Sequence, residues 1–410
     1  TSGFTAVSGV GYFVNTTAGA ITVTLPASPS AGDVVAVSDY ANIFATNNLT
    51  LARNGSNIGG IAVDSVLVVN GAAVTLVYVD ATKGWIVTDS GNQSEATELA
   101  GYIAATGGTI TTCGDFKIHQ FTGPGTFCVS CAGNAVGSNS VDYLVVAGGG
   151  GGGGECGSYG GAGGGGGGGL RIGAVAASPT HSPLVAAGGL AVPVQPYAIV
   201  VGGGGTAGPQ TAPGNGGDGG VSSFSSITST GGGGGGKSVA PGSSGNPGGS
   251  GGGGSCTAGT GNTPPVSPPQ GNDGAIGPQN AGGGGATVAG AAAPGCGGNS
   301  GGAGLQVTSV FGTAPKSYYI GNGPDNGASV CGQFAGGGAG GHDPKPAPAT
   351  SLGGVGGGAN VPGPQAFGSA GTTNTGGGGG GGGRDVPQPE PGVGGAGGSG
   401  IVLIRYKFQN

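Results

Sequence analysis

Unbroken runs of glycine constrain this chain more than any other feature. Residues 148–154, 163–169, 202–205, 231–236, 251–254, 282–285 and 376–383 are glycine throughout, and the great majority of the 111 glycines follow Ala147. Glycine gives up more backbone freedom on folding than any other residue and has no side chain to bury. At roughly 1 to 2 kcal/mol per ordered residue, fixing this region costs on the order of 100 kcal/mol. A flexible low-complexity tail avoids that cost. The ordered alternative is a dense bundle of polyproline II helices, three residues per turn, whose bare backbones approach closely and hydrogen-bond sideways. Each such bond contributes only about 0.5 to 1.5 kcal/mol, so nearly every N–H must find a neighbour.

The sequence favours the bundle. Apolar β-type segments bracket the runs: YLVVA at 143–147, YAIVV at 197–201 and IVLIRYKF at 401–408. Phe224, Leu305, Val310, Phe311, Tyr318, Tyr319 and Phe334 interrupt the glycine, and a flexible linker needs neither feature. Collagen is excluded by the lack of a strict G-X-Y period and by a proline count of only 27.

Composition narrows the function. Charged residues are 6% of the 410, far below the usual roughly 25%. The net charge is −6 and the 10 Lys and Arg form no cluster that tracks phosphates, which argues against nucleic acid. No apolar run reaches the roughly 20 residues that cross a bilayer, so no membrane insertion is expected. The chain starts at Thr1, contains no Met and shows no signal-peptide pattern. Its numbering is therefore expected to begin inside a longer precursor or after processing.

The expected fold class is mainly β. Residues 1–92 read as an antiparallel β-module, with alternating strands such as AITVTLP and GDVVAVSDY, a hairpin loop at 80–84 and Trp85 in its core. Residues 93–108 hold the one expected helix, QSEATELAGYIAA, capped by Ser94 and ended by Gly107 and Gly108. It reads either as a connector or as a short coiled segment at a trimer axis. Residues 109–147 return to strands that cap the glycine region, 148–400 form the bundle, and 401–410 supply a closing strand.

Several segments in order carry a resemblance: FKIHQFTGPGTFCVSC, VDYLVVAGGGGGGG, YAIVVGGGG, FSSITSTGGGGGG, GGAGLQVTS and finally GGSGIVLIRYKF. Together, over about 115–408, they resemble the glycine-rich domain of bacteriophage tail fibres and prophage tail proteins, which is similar in character to the tip adhesins of T-even-like phages. GYFVNTTAGAITVTLPASPSAGDVV also resembles short modules of marine phage tail fibres. The resemblance implies glycine-rich polyproline II helices in a sandwich, loops that touch a host cell-surface receptor (an outer-membrane protein or polysaccharide), a place in the virion tail fibre, and other tail proteins as partners. A fibre-shaft module implies a homotrimer, with a single tip subunit on a trimeric shaft as the alternative.

Functional side chains belong on the loops, since the runs offer only backbone. The candidate receptor contacts are Tyr159, Lys237, Pro265, Tyr318, Tyr319, Phe334, His342, Phe367 and Arg384. The aromatics either stack on sugars or plug the space under the loops. No catalytic residue, metal or cofactor is expected. Residues 231–238, GGGGGGKS, formally satisfy a phosphate-loop pattern, but SVAPGSSGNPGG supplies no following helix. No paired carboxylates stand out for glycoside cleavage, no Ser stands in a nucleophile setting beside His342 and Asp343, and Asp218, Asp273 and Asp325 lack a calcium-binding repeat. A self-assembling extracellular filament is the competing function.

Seven cysteines leave at least one free or paired between chains. Cys113, Cys128, Cys131, Cys256, Cys296 and Cys331 are the disulfide candidates, with Cys113 expected to pair with Cys128 or Cys131. Three positions apart on a strand, those two are expected on opposite faces.

Overall fold

The computed structural model describes residues 2–92, 99–155, 160–175, 184–209, 214–238, 243–277, 281–292, 299–313, 316–319, 332–341, 351–362, 367–383 and 392–409. The chain divides into two compact units, Thr1–Leu99 and Ala100–Asn410. Both contain β-sheets, and the one α-helix among the described residues is a single turn.

The first unit holds eight strands: β1 (Phe4–Thr5), β2 (Val10–Val14), β3 (Ile21–Thr24), β4 (Val34–Asp39), β5 (Leu49–Ala52), β6 (Ser65–Leu67), β7 (Ala72–Asp80) and β8 (Gly84–Asn92). They form two four-stranded sheets, ordered β1-β3-β5-β6 and β2-β4-β7-β8. The chain alternates between the sheets over its first five strands, so neighbours in one sheet are not joined by a hairpin. As a result β1, β3 and β5 pair in parallel, as do β2 and β4. This corrects the expected all-antiparallel module, because alternation fixes only which face of a strand is buried and not its partner. Val23, Leu49 and Leu51 from one sheet meet Val35, Val37, Leu76 and Trp85 from the other in a single core. The β7–β8 hairpin forms as expected. Asp80 Oδ1 accepts the N–H groups of Thr82 (2.8 Å) and Lys83 (2.6 Å), and Gly84 closes the loop at φ 68°, with Asn57 O only 1.8 Å from where a Cβ would stand.

The second unit begins with β9 (Ile103–Thr106), β10 (Thr109–Cys113), β11 (Phe116–Phe121), β12 (Gly125–Ala132) and β13 (Ser140–Val146). It continues with β14 (Leu170–Ala174), β15 (Val185–Ala187), β16 (Leu190–Ala191), β17 (Pro196–Val200), β18 (Ser222–Phe224), β19 (Ile227–Ser229), β20 (Leu305–Gln306), α1 (Thr308–Phe311), β21 (Gln333–Phe334) and β22 (Ile401–Lys407). Of the expected helix, residues 93–98 lie outside the described residues, and Ile103–Thr106 is a strand. Pairing with β12 supplies its backbone partners, and tertiary pairing readily overrides a one-turn helical pattern.

Two sheets, β10-β11-β22-β13-β14-β15 and β19-β18-β17-β12-β9, enclose Phe127, Tyr143, Val145, Tyr197, Phe224, Val402 and Ile404. The larger sheet buries its opposite face, through Leu144, Val146, Ile172 and Leu403, against Val310, Phe311, Tyr318, Tyr319 and Phe334. Strands covered on both faces are apolar throughout, which accounts for YLVVA and IVLI. His119 is buried between the sheets. Its Nδ1–H donates to Gly107 O (2.7 Å), its Nε2 accepts from the Tyr406 hydroxyl (3.1 Å), and Phe127 meets its ring edge-on. Burial pushes its pKa below the ordinary 6.5.

Beyond β13 the chain enters the bundle, whose period is written in its hydrogen bonds. The N–H groups of Gly148, Gly151 and Gly154 donate to Gly220, Gly217 and Gly214; those of Gly149, Gly152 and Glu155 to Gly398, Gly395 and Gly392; those of Gly150 and Gly153 to Gly166 and Gly163. Every third residue therefore faces the same neighbour, which is the threefold screw of polyproline II. The carbonyls of the same run accept from three further segments: 232, 235 and 238; 205 and 208; 379 and 382. Residues 148–154 thus sit in a ring of six helices and are buried throughout. Residues 162–169 have six neighbours of their own.

Candidate functional site

The bundle turns glycine sequence into a scaffold with two distinct ends. Residues 148–154, 202–208 and 231–238 run away from the sheets, and 162–169, 214–220 and 392–400 return toward them, as the opposed registers of their hydrogen bonds require. The described residues that flank 156–159, 210–213, 239–242, 342–350 and 384–391 sit at the far end.

Side chains take over there where glycine neighbours run out. Asn215 Oδ1 accepts Lys237 N–H (3.1 Å), and its Nδ2 donates to Ser244 O (2.9 Å) and Asn246 Oδ1 (3.0 Å). Asp218 Oδ1 in turn accepts from Asn246 Nδ2 (2.8 Å) and Gly234 N–H (2.9 Å). Ser238 Oγ donates to Gly160 O (2.7 Å). Glu155 is fully buried, bonding Gly392 through its own N–H (2.9 Å) and accepting Gly392 N–H at Oε2 (3.4 Å). These bonds satisfy backbone groups that would otherwise be buried without partners.

Residues 231–238 belong to this scaffold. The N–H groups of Gly232, Gly233, Gly235 and Gly236 donate to Gly148, Ser250, Gly151 and Gly253. The donors that a phosphate loop would aim at a nucleotide are used inside the bundle.

The sequence candidates separate into three groups. Lys237, half-buried, and Phe367, 60% exposed, lie at the far end. Pro265 is exposed at the opposite end, in a loop that reaches the large sheet: Arg171 Nη2 donates to Ser267 O (3.5 Å) and Leu170 N–H to Gln270 O (2.9 Å). Tyr318, Tyr319 and Phe334 are core residues, so as surface contacts they are corrected to plugs. Tyr318 donates to Phe311 O (2.6 Å) and Tyr319 to Gly312 O (2.5 Å). Burial, reinforced by the neighbouring Cys113, pushes the Tyr318 phenol up to about 12, and burial with Tyr318 alongside raises Tyr319 further, so both remain donors. Tyr159, His342 and Arg384 lie outside the described residues. The far-end asparagines and Asp218, which sequence reasoning did not single out as a network, carry no signal beyond being polar residues next to glycine runs.

The cysteines also depart from expectation. Cys113, Cys128 and Cys131 are unbonded thiols. A bulge between Val129 and Cys131 sets Cys128 opposite Thr106 and Cys131 opposite Ala104, two exposed positions on one face of β9. Both thiols are therefore exposed on the same face of β12, because the inserted Ser130 shifts the alternation by one. Cys113 lies instead on the other sheet, 3.3 Å from Lys316 Nζ. Cys256 is exposed; Cys296 and Cys331 lie outside the described residues.

No metal-ligating cluster of three or more side chains occurs among the described residues, and no helix among them is long and apolar enough to cross a membrane. No curated protein matches the chain. A family profile described as a glycine-rich domain matches residues 121–407, the span that holds the whole polyglycine bundle and the strands of the double sheet from β12 onward. On that match, over more than half of its length, the chain belongs to the glycine-rich domain family.

Proposed function

We propose that this protein is the distal part of a bacteriophage tail fibre and binds a receptor on the host cell surface. The observation that carries the reading is the saturation of the bundle interior. The backbone of residues 148–154 is held by six neighbouring helices without help from any loop side chain, so the links at the far end are free to vary while the scaffold stays fixed. A preorganised scaffold adds no ordering cost of its own to binding. The resemblance of the ordered motifs to phage tail-fibre proteins supports the same reading, and the extracellular virion is the setting it implies.

The first unit serves as the attachment to the rest of the fibre, in a homotrimer. Phe13 on one sheet is 79% exposed, and Val66 on the other sheet, with Val68 and Val69, is also exposed, apolar positions that suit contact with further fibre chains. The test is adsorption of labelled protein to intact candidate hosts, comparing the full chain with one in which residues 384–391 and 342–350 are exchanged for those of another glycine-rich fibre protein. A change of host range on exchange supports the adhesin. Spontaneous polymerisation with no binding to any host would replace it with a structural filament.

A further inference from the structure

A small cleft opens at the end of the large sheet remote from the bundle, where β13 begins and β22 ends. Its volume is about 260 Å³, and Phe116, Asn139, Ser140, Asp142, Val175 and Arg405 are among its lining residues. That is below the roughly 300 Å³ at which sites for drug-sized ligands begin, so it accommodates a single ring.

Its chemistry is lopsided toward donors. Arg405 donates through Nε to Asp142 Oδ2 (2.7 Å), with Nη2 at 2.5 Å from the same oxygen, and Asp142 Oδ1 accepts Val175 N–H (2.6 Å). The carboxylate is thus fully engaged and its charge is compensated. Arg405 Nη1 keeps its donors without a hydrogen-bond partner among the described residues, on a side chain 20% exposed. The guanidinium is held in place by Phe116, whose ring centroid is 4.4 Å from Cζ. Asn139 is exposed, accepts from Ser140 Oγ (3.1 Å) at Oδ1, and leaves its Nδ2 amide without a partner among the described residues. Val175, 55% exposed, adds an apolar wall. Lys407 lines the same cleft.

A fixed guanidinium edge and an amide, beside apolar surface and a lysine, match a ring that carries a carboxylate. The geometry points to a binding site for an acidic monosaccharide unit, such as the uronic-acid residue of a surface polysaccharide. The site lies at the sheet end, away from the far-end loops, and does not rest on their binding a receptor. Loss of one leaves the other intact.

The test is ligand-observed NMR and calorimetry on the full chain with sodium glucuronate and, in parallel, glucose. Glucuronate is expected to bind at least tenfold more tightly than glucose. Asn139→Ala should weaken glucuronate about fivefold, and Val175→Trp, an exposed position at the cleft wall, should abolish its binding with the fold unchanged by circular dichroism. Arg405→Gln should also abolish binding, and the two exposed-site variants keep the test decisive if that protein unfolds. Equal affinity for the two sugars, absence of glucuronate binding, or binding unaltered in both Asn139→Ala and Val175→Trp would overturn the assignment.

Discussion

Replacing Gly152 by alanine would place a Cβ 1.9 Å from the carbonyl oxygen of Gly380 and 2.4 Å from its carbon. Neither atom belongs to a flexible side chain, so helices 148–154 and 376–383 must separate by at least about 1 Å to reach even a tight contact. Two hydrogen bonds join them at this level, from Gly379 N–H to Gly150 O (2.9 Å) and from Gly382 N–H to Gly153 O (3.0 Å). Lengthened by that amount, both pass out of hydrogen-bond range. The two broken bonds leave four buried backbone groups without partners, and at about 1 to 3 kcal/mol each the expected destabilisation is at least about 4 kcal/mol. The control is Gly203→Ala, where a Cβ meets nothing within 4 Å and the expected change is within about 0.5 kcal/mol. Denaturant unfolding is followed by near-ultraviolet circular dichroism, to which the second unit contributes seven of the ten tyrosines. Fluorescence of the sole tryptophan, Trp85, reads the first unit as an internal reference. Equal stability of the Gly152→Ala protein and the parent, or equal loss in both variants, would refute a bundle held by backbone contact.

Further outcomes are expected. His119 has its pKa lowered by burial, so the unfolded chain binds the proton more readily. Stability is therefore full above about pH 6.5 and falls as pH drops below it; unfolding midpoints at pH 7.5 and 5.5 should differ, and His119→Gln should narrow the difference. Phe334→Ala should cost about 3 to 5 kcal/mol because the ring is fully buried, whereas Tyr319→Phe should cost about 1 kcal/mol for its lost bond to Gly312; chemical denaturation compares them. Cys128 and Cys131 should alkylate within minutes in the native protein and Cys113 more slowly, as mass spectrometry of the labelled peptides would record.

The glycine runs and the doubly buried strands were legible because each follows from one rule of spacing or coverage. Period three suits residues without side chains, and unbroken apolarity suits strands such as Tyr143–Val146 with a core on both faces. What depended on partners far along the chain was not. The parallel pairing of β3 with β5 depends on which sheet each strand joins, and nothing in ITVT or LTLA encodes that. The facing of Cys128 and Cys131 was reversed by one bulged residue, Ser130. The aromatic pair Tyr318 and Tyr319 resembles a loop in sequence because the residues it packs against, such as Ile118 and Leu403, stand far away on strands. That Pro265 stands at the sheet end while Lys237 and Phe367 stand at the far end was not legible either, because helix direction is visible only in the registers.

The ring of neighbours around residues 148–154 also sets a rule for how such a chain changes length. Advancing one residue along a threefold screw turns the donor set by a third of a revolution and hands each N–H to a different neighbour. Deleting one or two glycines from the middle of a run therefore scrambles the wiring of everything beyond it. Removing three restores the original addresses and shortens the run by a single turn. Evolution of the scaffold is thereby quantised in triplets of residues, while the links at its tip stay free of any such arithmetic.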